Sequence, residues 1–300
     1  MSLQLEIGQF SHPGRQRPKN EDWLGAFQPD DAERLARKGQ LFLVADGMGG
    51  HQSGEMASRY AVDAVIRAYV DHPAPDVETS LRQAIESASS SLYQRAPGGP
   101  GDSRWGTTLV AAVVRGAELW IANVGDSRAY LLRGGKLQQL SRDHSMMGQH
   151  LITRALGTKP QVEVDLFPPL PLRAGDRVLL CTDGLTRPLP DAEIRAIAGR
   201  GTAQGAAEAL VRAANEHGGP DNVSVIVIHV TGGPAAEWHT PGELLAALAW
   251  PETWRQMVEL LPRLLIGDRA AWQSPIAFVV LALAILALLG FGFLLGLLLF

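Results

Sequence analysis

Leu41-Phe42-Leu43-Val44-Ala45-Asp46-Gly47 and Arg177-Val178-Leu179-Leu180-Cys181-Thr182-Asp183-Gly184 share one design, an aliphatic run that ends in Asp-Gly. Runs this short and this apolar fit strands buried on both faces. Trp120-Ile121-Ala122-Asn123-Val124-Gly125-Asp126 is a third such run, ending in Gly-Asp, and Asp221-Asn222 stands immediately before the strand-like stretch VSVIVIHV. Strands that each deliver a carboxylate at one end bring negative charges together, and like charges raise one another's pKa unless a cation neutralises them. Oxygen donors in such a cluster suit Mg²⁺ or Mn²⁺ rather than zinc, which would want His and Cys. The set therefore reads as a two-metal hydrolytic site, in which ions sharing a bridging hydroxide stabilise attacking and leaving oxygens of an in-line displacement on phosphorus. Taken singly, each Asp-Gly is an ordinary turn.

Working outward, residues 3–10, 41–45, 107–115, 118–124, 127–133, 162–167, 177–182 and 223–230 read as strands, being β-branched or aliphatic and bounded by Gly, Pro, Asn or Asp. Arg133-Gly134-Gly135-Lys136 reads as a hairpin turn. Apolar positions recur at helical spacing over 53–70, 76–95, 191–198 and 203–217. Strands in blocks with a few long helices imply an α+β domain, with sheets covered by helices.

The chain has 300 residues, 27 basic and 31 acidic, for a formal charge of −4, so no basic field exists to hold a nucleic acid. The single cysteine, Cys181, forms no intramolecular disulfide, and MSLQLEIGQF lacks the pattern of a secretory signal, which together imply a reducing, cytoplasmic compartment for the catalytic part. Cys181 itself reads as a small buried hydrophobe rather than a nucleophile. All charged side chains lie before Ser274, and the stretch from Pro275 to Phe300 carries none. Its length as a helix is about 37 Å, enough to cross a hydrocarbon core of about 30 Å, whereas buried helices of soluble cores are seldom so long. With Arg263 and Arg269 on its N-terminal side, this span is expected to leave residues 1–274 in the cytoplasm. Gly292 and Gly296 form a GxxxG pair through which two such helices could pair as a dimer. Between the domain and the span, Trp238, Trp250, Trp254 and Trp272 mark either an interfacial segment or an amphipathic linker helix. The expected organisation is thus a catalytic domain over 1–231, a Trp-rich linker over 232–274 and a transmembrane helix over 275–300.

Several ordered motifs give the chain a family resemblance. They are Ser11-x-x-Gly14-x-x-Arg17-x-x-Asn20-Glu21-Asp22, VADGMGGHQSGEMAS at 44–58, Gly106-Thr107-Thr108, Asn123-Val124-Gly125-Asp126-Ser127-Arg128, Asp143-His144-Ser145, Leu151-Ile152-Thr153-Arg154-Ala155-Leu156-Gly157, Thr182-Asp183-Gly184 and Gly219-Pro220-Asp221-Asn222. From about residue 3 to 231 the chain resembles the metal-dependent type 2C protein serine/threonine phosphatases, in the style of their bacterial members. The resemblance implies a β-sandwich flanked by helices with two Mn²⁺ or Mg²⁺ ions at one end. It also implies that Asp46 bridges the ions, that the Gly47 carbonyl binds the second, and that Asp183 and Asp221 hold the first. Glu21 would contact the second ion through water with Asp22 in support, Asp126 would belong to the same centre, and Arg17 would bind phosphate with its planar fork. A solvated ion pair with Asp30 or Asp31 is the plain alternative for Arg17.

Three departures from the family pattern carry consequences. Met48 stands where some members place a histidine, so His51 is the candidate general acid, with a loop role as the alternative. Arg187 replaces an acid that helps to bind a third ion, so third-ion binding is expected to be weak or absent. Only Met146 to His150 separate two motifs that related enzymes join by a longer flap, so an open cleft with relaxed recognition is expected. The implied activity is hydrolysis of phosphoserine and phosphothreonine by direct attack of a metal-bridging hydroxide, in opposition to a serine/threonine kinase, at the inner face of the cytoplasmic membrane. Two other readings are a catalytically silent docking module for phosphoproteins and a phosphatase of small phosphate esters.

Overall fold

The central runs are apolar at both odd and even positions, so each strand must be covered on both faces, which one sheet with one helix layer cannot do. The structure, a computed structural model, describes residues 3–49, 53–96, 99, 105–146 and 151–233, all within one compact unit, Met1–Trp238. In chain order the first half holds β1 (Gln4–His12), β2 (Asp22–Phe27), α1 (Ala32–Lys38), β3 (Gln40–Met48), α2 (Ser53–Asp71), α3 (Val77–Gln94), β4 (Gly106–Thr107), β5 (Leu109–Arg115) and β6 (Glu118–Val124). The second half holds β7 (Arg128–Arg133), β8 (Lys136–Gln139), β9 (Asp165–Pro171), β10 (Arg177–Cys181), α4 (Asp183–Thr186), α5 (Asp191–Ala198), α6 (Ala203–Glu216) and β11 (Val223–Gly232). One sheet runs β1-β11-β10-β7-β8 and the other β2-β3-β5-β6-β9, with the short β4 on β3. All the pairings are antiparallel.

Alternation along the strands sorts their side chains into three layers. Leu41, Leu43, Ala45, Leu109, Ala111, Val113, Trp120 and Ala122 form one core with Val62, Val65 and Tyr69 of α2 and Leu81, Ile85 and Leu92 of α3. Leu179, Cys181, Val223, Val225 and Val227 form a second with Ile194 of α5 and Leu210 and Val211 of α6. The opposite parity, Phe42, Val44, Val110, Ala112, Leu131, Val178, Leu180, Ile226 and Ile228, is equally buried and fills the space where the two sheets face each other. The expected helix-flanked α+β architecture is therefore what the residues build.

Several sequence readings need correction. The strand expected at 162–167 lies instead at Asp165–Pro171, and β2, α1, β8 and α4 lie outside the expected elements. Among the described residues no helix is long and apolar enough to cross a membrane. The span expected at 275–300, the Gly292/Gly296 pair and nearly all of the Trp-rich segment fall outside the described residues, as do His51 and 147–150 of the shortened flap.

The inter-sheet layer should dominate stability. Phe42→Ala, at a fully buried position, should cost about 3–5 kcal/mol, whereas Phe10→Ala, at 39% exposure, should cost under about 1 kcal/mol, both read from urea unfolding midpoints.

Candidate metal centre

Following the inter-sheet parity to one end of the sandwich, the aliphatic residues give way to polar ones. Val44 is followed two residues on by Asp46, Leu180 by Thr182, and Ile226 is preceded by Ser224, while Asp22 lies opposite Asp46 in the β2–β3 register. The Thr182 hydroxyl donates to Asp22 Oδ2 at 2.9 Å, joining the end of one sheet to the start of the other, and the Ser224 amide donates to Thr182 Oγ1 at 3.0 Å. The Asp46 amide donates to Thr108 Oγ1 at 3.0 Å, and the Asp46 carbonyl accepts from the Thr107 hydroxyl at 2.8 Å and the Thr108 amide at 2.9 Å. The Gly106-Thr107-Thr108 motif thus fixes the backbone that presents Asp46.

Two glycines allow a close approach behind Asp46. A Cβ on Gly47 would stand 2.0 Å from the Gly54 carbonyl oxygen, so only glycine lets β3 meet the start of α2 there. A Cβ on Gly54 would lie 2.9 Å from both Glu21 Oε2 and the Gly47 carbonyl oxygen. The carboxylate and carbonyl expected to serve the second ion therefore flank one small cradle. Glu21 is held there by its backbone: its amide donates to Asn222 Oδ1 at 2.7 Å, and its carbonyl accepts from the Gly47 amide at 3.1 Å and the Ser58 hydroxyl at 2.6 Å. Asn222 also donates to the carbonyls of Pro13 and Lys19, so it ties the Arg17 loop to the Asp221 loop. Sequence reasoning singled out Asn222 within a motif without assigning it this bridging position.

On the other side, Asp183 opens α4 and Asp221 precedes β11. Asp22, Asp126 and Asp183 each have a buried Oδ1 with no hydrogen-bond partner. Burial, reinforced by neighbouring carboxylates, pushes Asp22 and Asp183 up to about 7 and raises Asp46 well above the usual carboxylate range; burial also raises Asp126. Buried, unpartnered carboxylate oxygens that repel one another are donors awaiting a cation, and the all-oxygen set of Asp46, Gly47, Asp126, Asp183, Asp221 and Glu21 fits Mg²⁺ or Mn²⁺. Among the described residues no three acidic, histidine or cysteine side chains already form a closed ligand shell. Instead guanidinium groups meet two of the carboxylates. Arg17 Nη2 is 2.9 Å from Asp221 Oδ2, Arg187 Nη1 is 3.3 Å from the same oxygen, and Arg187 Nη2 pairs with Asp183 Oδ2. Arg17 thus pairs with Asp221, not with Asp30 or Asp31.

The remaining motifs are scaffolding around this end. Arg128 grips both Asp143 oxygens at 2.7–3.0 Å, and His144 accepts from the Gly125 amide at 3.1 Å while its Nε2 lies 3.0 Å from Asp165 Oδ2. Cys181 is buried and its thiol is pushed up to about 12 by burial, so it is no nucleophile.

The family described as protein phosphatase 2C matches residues 24–216. The serine/threonine phosphatase stp of Listeria innocua is 35% identical over 238 residues, which are 72% of this chain and 92% of that protein. A crystal structure of the Mycobacterium tuberculosis serine/threonine phosphatase PstP/Ppp superposes with a TM-score of 0.66 at 33% identity, covering 76% of this chain and 99% of the other. The catalytic domain of PstP in complex with two manganese ions gives 0.65 at 33% identity, covering 77% and 100%.

The raised carboxylates make a sign-definite prediction for protein kept in chelator. A folded-state pKa above the unfolded value contributes stability that is present below about pH 4 and lost as pH rises through about 7. Over that window the thermal midpoint should gain less from the burial cluster as pH rises. Asp22→Asn should flatten part of that loss, as followed by circular dichroism; an equal slope in the variant would remove Asp22 from the cluster.

Proposed function

We propose a division of labour among these residues on the premise that the chain belongs to the protein phosphatase 2C family. It is a serine/threonine protein phosphatase, a hydrolase that works with two Mn²⁺ or Mg²⁺ ions. Asp183 and Asp221 would hold one ion, the Gly47 carbonyl and Glu21, through water, the other, and Asp46 would lie between them with Asp22 in support. Asp126 would add its charge to the same centre. When bound, the ions supply Lewis acidity toward water and toward the phosphoryl oxygens. The observation that carries this reading is that the Glu21 carboxylate and Gly47 carbonyl flank one cradle while the unpartnered Asp22, Asp126 and Asp183 oxygens cluster at the same sandwich end.

Around that centre the chain's own groups bind and orient. Arg17 is 53% exposed, more than any carboxylate of the cluster, so its fork can turn from Asp221 toward two oxygens of an incoming phosphate. Positive charge placed against the transferring phosphoryl group is a main source of rate in phosphoryl transfer. Direct transfer to water needs no protein nucleophile, consistent with the inert Cys181. His51 is proposed to give the leaving alkoxide its proton. Phosphorylated proteins are the substrates proposed, opposed by a serine/threonine kinase. With only 146–150 between the two motifs in sequence, recognition of flanking residues is proposed to be relaxed.

The apolar residues 275–300 are proposed to anchor the chain in the inner membrane through the 232–274 linker, with the catalytic domain over 1–231 in the cytoplasm, and Gly292 and Gly296 to let two anchors pair. Sequence length and charge pattern support this.

Three measurements test the proposal. Phosphate release from a phosphothreonine peptide by the purified chain should require Mn²⁺ or Mg²⁺ and fall at least about 100-fold in Asp183→Asn; turnover that survives chelation would overturn the metal centre. Arg17→Ala should raise KM and lower kcat/KM by roughly 10- to 100-fold. In cell fractionation the whole chain should sediment with membranes and a chain ending at 274 should not.

A further inference from the structure

Asp183 and Arg187 stand four residues apart at the two ends of the α4 turn, with the Arg187 amide donating to the Asp183 carbonyl at 2.8 Å, so that both side chains rise from one face. The Arg187 fork spans two carboxylates of the metal centre, Nη2 on Asp183 Oδ2 and Nη1 at 3.3 Å from Asp221 Oδ2. Arg187 thus occupies one oxygen of each carboxylate expected to hold the ion, while Asp183 Oδ1 stays buried and without a hydrogen-bond partner. Two cations beside one pair of carboxylates repel each other and draw on the same negative charge, so the guanidinium in place weakens the hold on an ion. Arg187 also offsets burial and repulsion at Asp126 and Asp183, the same compensation an ion supplies. With its side chain 29% exposed on a short turn, it has solvent into which to withdraw.

We propose that Arg187 is a built-in competitor for the ion held by Asp183 and Asp221, and that it sets the metal concentration at which the centre fills. The proposal rests on the metal-centre reading above and deepens it. The free energy of metal binding is then a difference, the ion's gain less the loss of two guanidinium–carboxylate pairs. Arg17 also pairs with Asp221, at 2.9 Å, and keeps that pair when Arg187 is removed, but Arg187 is the residue that pairs with both ligands.

The test is Mn²⁺ binding to the full chain in detergent by titration calorimetry, with wild type, Arg187→Gln, Arg187→Lys and Asp183→Asn. Arg187→Gln should bind Mn²⁺ about 2- to 30-fold more tightly, the range expected from removing two partly exposed ion pairs. In chelator the same variant should melt lower than wild type, and saturating Mn²⁺ should raise its midpoint by more. Arg187→Lys keeps the charge without the fork and should lie between. Equal or weaker Mn²⁺ binding by Arg187→Gln, with wild-type binding intact, would overturn the proposal and leave the metal centre standing. If Arg187→Gln does not fold, Arg187→Lys decides, since binding no tighter than wild type is the overturning result. Absence of Mn²⁺ binding in wild type, matching Asp183→Asn, would instead overturn the metal-centre reading and this inference with it.

Discussion

The structure turns on carboxylates held close together where the inter-sheet layer runs out of aliphatic residues. Two unit charges 4 Å apart interact by about 4 kcal/mol at an effective dielectric of 20, a large part of the about 5–15 kcal/mol by which a folded domain is stable. A chain that collects Asp22, Asp46, Asp126 and Asp183 in one partly desolvated end must fix their backbones firmly and give their charge an answer. The first need is met by hydrogen bonds that do not consume the carboxylates. Thr107 and Thr108 grip the Asp46 backbone and Asn222 grips the Glu21 amide, the exceptions being Asp22 Oδ2, which accepts from the Thr182 hydroxyl, and Asp221 Oδ1, which accepts from the Asn222 amide. The second need is met by cations.

That constraint explains why the site sits where it does. On the inter-sheet face every second residue is buried, so a carboxylate within the strand body would have no solvent and no room for an ion. At the strand ends the same parity points into the layer while the sheet opens, and Asp46 and Asp22 occupy that position on neighbouring strands. The Thr182–Asp22 bond then ties the two sheets at their polar end, so sheet packing and site geometry depend on one another.

This parity is also what made much of the molecule readable from residues alone. The runs ending at Asp46 and Cys181 are apolar on both faces and bounded by Asp-Gly, which leaves little choice but interior strands. What escaped reading did so for physical reasons. β2 begins with an acid and carries a central Gly25 whose added Cβ would stand 2.2 Å from Val62 Cγ1, so a packing requirement hides its strand character. β9 contains Pro168 and Pro169, residues that argue against a strand, yet it lies at the sheet edge beside an irregular register, where proline is tolerated. α1, AERLARK, is short and charged and is started by the Asp31 cap rather than by an apolar face. In the site, the acids were legible because four of them punctuate strands, whereas the partners of the arginines were not. Spacing can place Arg187 one turn after Asp183, but that Asp221 comes within reach of both Arg17 and Arg187 depends on Asn222 joining loops about two hundred residues apart in sequence.

The arginines complete the argument about charge. A cluster with no cation of its own would have to fold against its own repulsion or keep protons on its acids until metal arrived. Arg17 and Arg187 give Asp183 and Asp221 partners within the chain, so the fold need not wait for an ion. The same pairs lower the net gain when an ion arrives, because what it displaces is already a good electrostatic partner. Stability of the domain and affinity of its centre are therefore opposed through the same two carboxylates. The partly exposed position of the guanidiniums is the compromise: strong enough to hold the acids together, screened enough to let them go.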